Sequence, residues 1–171
     1  MNKIKQFKLR LDHKNIENFT TPPDDPLGEL SDFDLGFRKF CYEFNRQVIV
    51  EIGQTKFKVF LDPDICILLE DRFTEQIGEL EQDKIIGLDF VESYWCRIKF
   101  VPVDTQIKCY LKELNYYHQE SLIILNKQQV LTELKQFLTE LMNLAVNQGY
   151  ISLQDRDEFI KPAFVQSEVL R

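Results

Sequence analysis

Residues 85–114 carry the longest continuous alternation of apolar and polar positions in the chain. Cys96, Ile98 and Phe100 alternate with Arg97, Lys99 and Val101, and Ile107, Cys109 and Leu111 alternate with Lys108, Tyr110 and Lys112. That two-residue period is the pattern of half-buried strands. A two-residue turn at Asp104-Thr105 would set Phe100 opposite Cys109 and Ile98 opposite Leu111, so the apolar sets share one face and the basic side chains the other. Pro102 cannot donate to a ladder, which predicts an edge, a bulge or a longer turn beside it.

The same period recurs earlier. Phe7, Leu9 and Leu11 alternate with Lys8 and Arg10, which predicts a basic first strand within residues 1–14. Residues 15–31 lose the pattern in a Pro/Asp-rich loop, where the prolines fix φ and turn the preceding residues away from helix. Phe33, Leu35 and Phe37 alternate with Asp34 and Gly36, and the aromatic run through Phe40, Tyr42 and Phe44 extends the strand expected there. Val48, Val50 and Ile52 lead to Gly53-Gln54, a glycine-first hairpin turn, after which Phe57, Val59 and Leu61 resume. In that register Glu51 faces Lys56, an exposed pair contributing about 0.2–1 kcal/mol.

Helical spacing takes over twice. Asp62-Pro63 offers a helix start, with an acceptor at the N-cap and a proline in the first turn. Ile65, Leu68, Leu69, Phe73, Ile77 and Leu80 follow at three- and four-residue intervals, with Gly78 as the expected kink or split. Leu88 and Phe90 begin a strand after Gly87, and Leu122 to Leu125 reads as a buried last strand or the approach to a helix. Asn126 and Gln129 form a capping-box variant ahead of an amphipathic helix from Val130 to Ala145 that closes at Gly149, and Ser152 caps a short final helix. Residues 126–171 are therefore a helical C-terminal section. The fold expected is α+β: a mainly antiparallel sheet of about five to seven strands packed against a central acidic helix and a long C-terminal helix.

With 171 residues and 44% hydrophobic content, the chain matches one domain with one core, spanning 1–171. Neither a hydrophobic leader nor a membrane-length apolar run is evident, so a cytoplasmic protein is expected. Cys41, Cys66, Cys96 and Cys109 are too scattered for a zinc ribbon or a redox pair and read as buried thiols. His13 and His118 stand apart from any nucleophile motif, and phosphate-loop, dinucleotide and zinc-protease patterns are absent. Each of three Asp-x-Asp triplets, at 32/34, 62/64 and 155/157, fits a helix start or a strand better than a metal loop. No catalytic residue, metal ligand or cofactor is assigned.

Charge changes the picture most. The chain carries 28 acids against 21 bases, a net −7. Asp71, Glu75 and Glu79 stand at successive i,i+4 positions of the expected acidic helix, beside Glu70. Residues 62–92 hold ten acids and two bases. An acidic ridge with no motif for catalysis fits a cytosolic binding protein for a basic protein partner, of the inhibitor or immunity type. The competing expectation uses the basic sheet face of Lys8, Arg10, Lys58, Arg97, Lys99, Lys108, Tyr110 and Lys112 to hold single-stranded nucleic acid, against which the net charge argues. A third, a small-molecule enzyme without a local motif, would centre on His118.

Overall fold

Two short turns fix the registers of two separate sheets. The computed structural model describes residues 6–114 and 119–164. In it β1 (Phe7–Asn15), β2 (Arg46–Ile52) and β3 (Thr55–Phe60) form one antiparallel sheet in the order β1-β2-β3, and β4 (Ile86–Phe90), β5 (Cys96–Val103), β6 (Gln106–Glu113) and β7 (Glu120–Asn126) form a second in the order β4-β5-β6-β7. Gly53 takes φ +63° in the β2–β3 turn, and Val50 then faces Phe57, Val48 faces Val59 and Glu51 faces Lys56. The β5–β6 hairpin turns at Asp104-Thr105, pairing Phe100 with Cys109 and Ile98 with Leu111. Pro102 is accommodated because ladder bonds alternate sides. Its missing donor faces the β4 side of the strand, beyond Ile86–Phe100, the last β4–β5 pair.

The pattern anticipates one pleated layer; the structure has two. Both turn their apolar faces into one core, where the Phe7 and Phe100 rings meet edge to face at 5.6 Å and Phe57 meets Phe90 at 6.4 Å. All four cysteines are buried and free. Residues 122–125, expected as a buried last strand or the approach to a helix, lie in β7, which runs directly into the helix from Lys127, but only Leu125 is fully enclosed and Leu122 lies open. As an edge strand, β7 has one neighbour and one covered face.

Helix α1 (Asp32–Phe44) replaces the strand expected over 33–44. Ser31 accepts the Asp34 N–H at 3.0 Å as N-cap, and Asp32 and Asp34 sit in the first turn, where helix dipoles favour acids. Phe33, Phe37, Phe40 and Phe44 also recur at helical spacing, and this second period is the one that buries them. Phe37, Phe40 and Cys41 are enclosed.

The acidic helix is likewise not one helix. The chain makes a wide turn over Leu61–Ile65, then α2 (Cys66–Asp71) and α3 (Phe73–Glu81), which part at Arg72, with φ −160° and ψ 28°, rather than at Gly78. Gly78 serves a close approach instead. A Cβ there would stand 2.5 Å from the Pro162 carbonyl oxygen of the last turn, Lys161–Phe164. Nor does Asp62 cap the start, since its carboxylate accepts the Thr20 hydroxyl and the turn has no side-chain cap.

Helix α4 (Lys127–Asn147) begins at Asn126, whose side chain accepts the Gln129 N–H at 2.9 Å, and the chain leaves it through Gly149 at φ +81°. Gln129 turns to β1 rather than back to its own cap. Its amide both accepts from Phe7 N (2.9 Å) and donates to Phe7 O (2.7 Å), while Glu133 Oε1 accepts from Leu9 N at 3.1 Å. One helix turn thus covers part of the open edge of a sheet. Helix α5 (Leu153–Ile160) follows, capped by Ser152. Among the described residues, no helix is long and apolar enough to cross a membrane.

Candidate functional site

Asp62 and Glu70 lie where α1, α2 and the 15–31 segment meet. Segment 15–34 contains Glu17, Asp24, Asp25, Glu29, Asp32 and Asp34 and no base. It is tied to the helices by Thr20, which donates to Asp62, and by Asn18, whose Oδ1 accepts from Asn45 Nδ2 at 2.8 Å. Asp25 shapes its own loop, accepting the N–H groups of Glu29 and Leu30. Between this segment and α2 lies a recess of about 200 Å3, floored by Pro63 and Ile67 and walled by Thr20, Arg38, Asp62 and Glu70.

The four ridge residues do not behave alike. Glu70 holds Arg38 in a two-pronged ion pair, Nε to Oε1 at 2.6 Å and Nη2 to Oε2 at 3.2 Å, and that hydrogen bond raises the arginine's pKa further above its ordinary value. Glu79 takes Arg72 Nη2 at 2.6 Å across the helix break. Glu75 accepts only the Thr74 hydroxyl, at 3.0 Å. Asp71 has no side-chain partner among the described residues. Both Asp71 and Glu75 are exposed and lack a cation within ion-pair distance among the described residues. Farther along, Glu81 pairs with Lys135, Asp83 with Lys127 and Asp89 with Arg97. Asp71, Glu75 and the six acids of the 15–34 segment are thus among the carboxylates for which no ion pair forms within the described residues.

Beneath this surface, Asp64 is enclosed, with 3% of its surface open. Its Oδ2 accepts from Phe60 N at 2.9 Å and from the Ser93 hydroxyl, which fastens the wide turn to β3 and to the β4–β5 turn; Oδ1 has no partner. The nearby thiols are inert acids. Burial, then the neighbouring Cys66, pushes Cys41 well up, and burial pushes Cys96 and Cys109 up to about 12. Thiols held protonated in this way are poor nucleophiles and metal ligands. Among the described residues, no group of three His, Cys, Asp or Glu side chains could hold a metal ion.

The basic positions separate onto two sheets. Lys8, Arg10 and Lys58 lie on the first, all engaged: Lys8 with Glu51 (3.9 Å), Arg10 with Glu133 (3.2 Å) and Lys58 with Asp12 (3.1 Å). The Lys58 bond, with the His13 N–H, holds the Asp12 carboxyl below its ordinary range. Arg97, Lys99, Lys108, Tyr110 and Lys112 lie on the second. Arg97 pairs with Asp89 at 3.4 Å, whereas Lys99, Lys108 and Lys112 have no ion-pair partner among the described residues. Lys99, Tyr110 and Leu122 stand side by side across β5, β6 and β7, and Leu122 is 54% exposed.

Of the histidines, His13 is exposed on β1 and His118, with Tyr116 and Tyr117, lies outside the described residues. Two features escape sequence reasoning. The recess is assembled from three separated segments. Trp95 is 59% exposed at φ +59°, in a backbone region that side chains other than glycine rarely adopt. A lone tryptophan between two strand patterns was the signal available. No family model, curated protein or solved structure matches the chain.

Proposed function

We propose that this chain is a non-catalytic cytoplasmic binding protein that meets a basic protein partner, in the manner of an inhibitor or immunity protein. The docking side is the acidic one, made by the 15–34 segment and the helical pair α2–α3. What carries the reading is the position of Asp71 and Glu75. Two exposed carboxylates without a cation among the described residues stand on helices whose other faces are anchored in the core by Leu68, Leu69, Phe73 and Ile77. Fixed, uncompensated charge of one sign steers association and selects partners of the other sign. The paired Glu70 and Glu79 belong to the same helices. Co-purification from the native cell at low salt tests this. A basic protein released as salt rises is expected, and recovery of nucleic acid alone, or of a partner indifferent to salt, overturns it.

One observation favours a second reading. Lys99, Lys108 and Lys112 surround Tyr110 and Leu122 on the outer face of β5, β6 and β7, unpaired, and a strand-faced platform of cations and an aromatic ring suits single-stranded nucleic acid. Filter binding to mixed-sequence single strands should then fall steeply with salt, by about 0.7 log units per log unit of salt for each phosphate engaged. Binding that is absent at low salt removes this reading.

A further inference from the structure

The covering of β1 by α4 stops short, and a cavity opens where it stops. Phe7, Leu9 and Leu11 all direct their backbone groups away from β2, because antiparallel ladder bonds alternate sides along a strand. Helix α4 meets these groups with one row of side chains at four-residue spacing. Gln129 satisfies both groups of Phe7, Glu133 accepts from Leu9 N, and the next member of the row is Phe137, which can do neither. Leu9 C=O, Leu11 N–H and Leu11 C=O have no partner among the described residues, an acceptor, a donor and an acceptor in sequence. They border a cavity of about 580 Å3 whose apolar floor includes Phe44, Phe137 and Leu144 and whose rim carries Arg10 and Arg46 together with the carboxylates of Asp12, Glu133 and Glu140.

Both rim arginines are held in place. Arg10 Nε rests on Glu133 Oε1, and Arg46 lies 4.2 Å from the Phe44 ring centroid and donates to the Phe44 carbonyl at 2.9 Å. β1 then bulges, with Leu11 opposite Val48 but Asn15 opposite Arg46, so the strand curves around the cavity instead of closing it.

We propose that this groove binds an extended peptide segment of another protein. A polypeptide in the strand conformation presents donors and acceptors in the order that complements Leu9 C=O, Leu11 N–H and Leu11 C=O, and strand addition to an open edge is a recurrent way of holding peptides. One apolar side chain of the peptide enters the Phe44, Phe137 and Leu144 floor. The volume is that of an ordinary ligand site. This site does not share residues with the acidic side of α2–α3, and its standing does not depend on that reading.

The test is panning of phage-displayed random heptapeptides on the folded chain, followed by titration of the enriched peptides as synthetic, end-blocked molecules. Enrichment of sequences that share an aliphatic or aromatic residue is expected, with slowed hydrogen exchange of the Leu11 amide on binding. Leu11→Pro removes a donor that points away from β2 together with a half-buried side chain, so with Leu11→Ala as the side-chain control it should weaken binding tenfold or more beyond the alanine variant while the β1–β2 ladder persists. Asp71→Lys with Glu75→Lys should leave peptide affinity unchanged. No enrichment, or enriched peptides that bind without altering Leu11 exchange, overturns the proposal, whether or not Leu11→Pro folds.

Discussion

Gly36 sits in the middle of α1 although glycine is a poor helix residue, and the reason is contact. A Cβ at Gly36 would run into the Tyr150 carbonyl oxygen, where the chain leaves α4 and packs back on α1. Gly36→Ala should therefore lose the helix-propensity gain of about 1 kcal/mol and cost a further 1–3 kcal/mol or so from overpacking. A lower urea midpoint than wild type checks it. The buried thiols make a second prediction at this scale. Cys96 and Cys109 are pushed up from 9.0 to about 12, so between those values the unfolded chain releases protons that the folded chain keeps. Thiol ionisation should leave stability unaffected below pH 9 and lower it as pH rises from 9 toward 12. Unfolding titrations across that range, in wild type and in Cys109→Ala, should show a shallower alkaline loss in the variant.

Elements were legible where two signals agreed. Alternation and turn chemistry both specified the β2–β3 and β5–β6 hairpins, and the structure has the expected partners residue for residue. Over 33–44 the signals conflicted. Phe33 and Phe37 fit a period of two as well as a period near four, and the Ser31 cap that decides between them lies outside the aromatic run. The break at Arg72 left no mark in residue type, because Leu69, Phe73 and Ile77 keep helical spacing across it. The split into two sheets was invisible for a related reason, since alternation shows which face of a strand is buried and not which strand it lies beside. Gln129 looked like a capping residue and is one half of a strand cover. Gln129→Ala should free the N–H and C=O of Phe7 and cost about 1–3 kcal/mol for two hydrogen bonds. Its diagnostic readout is faster exchange of the Phe7 amide, with the Val48 amide unchanged.

At the scale of the molecule, two sheets and the helices share one core, while the surface divides by charge. Segment 15–92 carries most of the acids, and β5 and β6 present lysines without ion-pair partners among the described residues. The candidate residues on the ridge were legible as a charge pattern, but which of them remain uncompensated was not. Arg38 and Arg72 reach Glu70 and Glu79 only through the fold. Exposed pairs of that kind contribute only about 0–1 kcal/mol, so their loss should scarcely move stability, whereas Asp71 and Glu75 are free to act on a partner. The direct measurement is a titration of the partner recovered from the native cell against wild type and against Asp71→Lys with Glu75→Lys, at low and at high salt. Weakening of the wild-type complex by salt, and tenfold or greater weakening by the double reversal at low salt with an unchanged melting temperature, is the predicted result. Equal affinities for the two proteins at low salt would contradict the account.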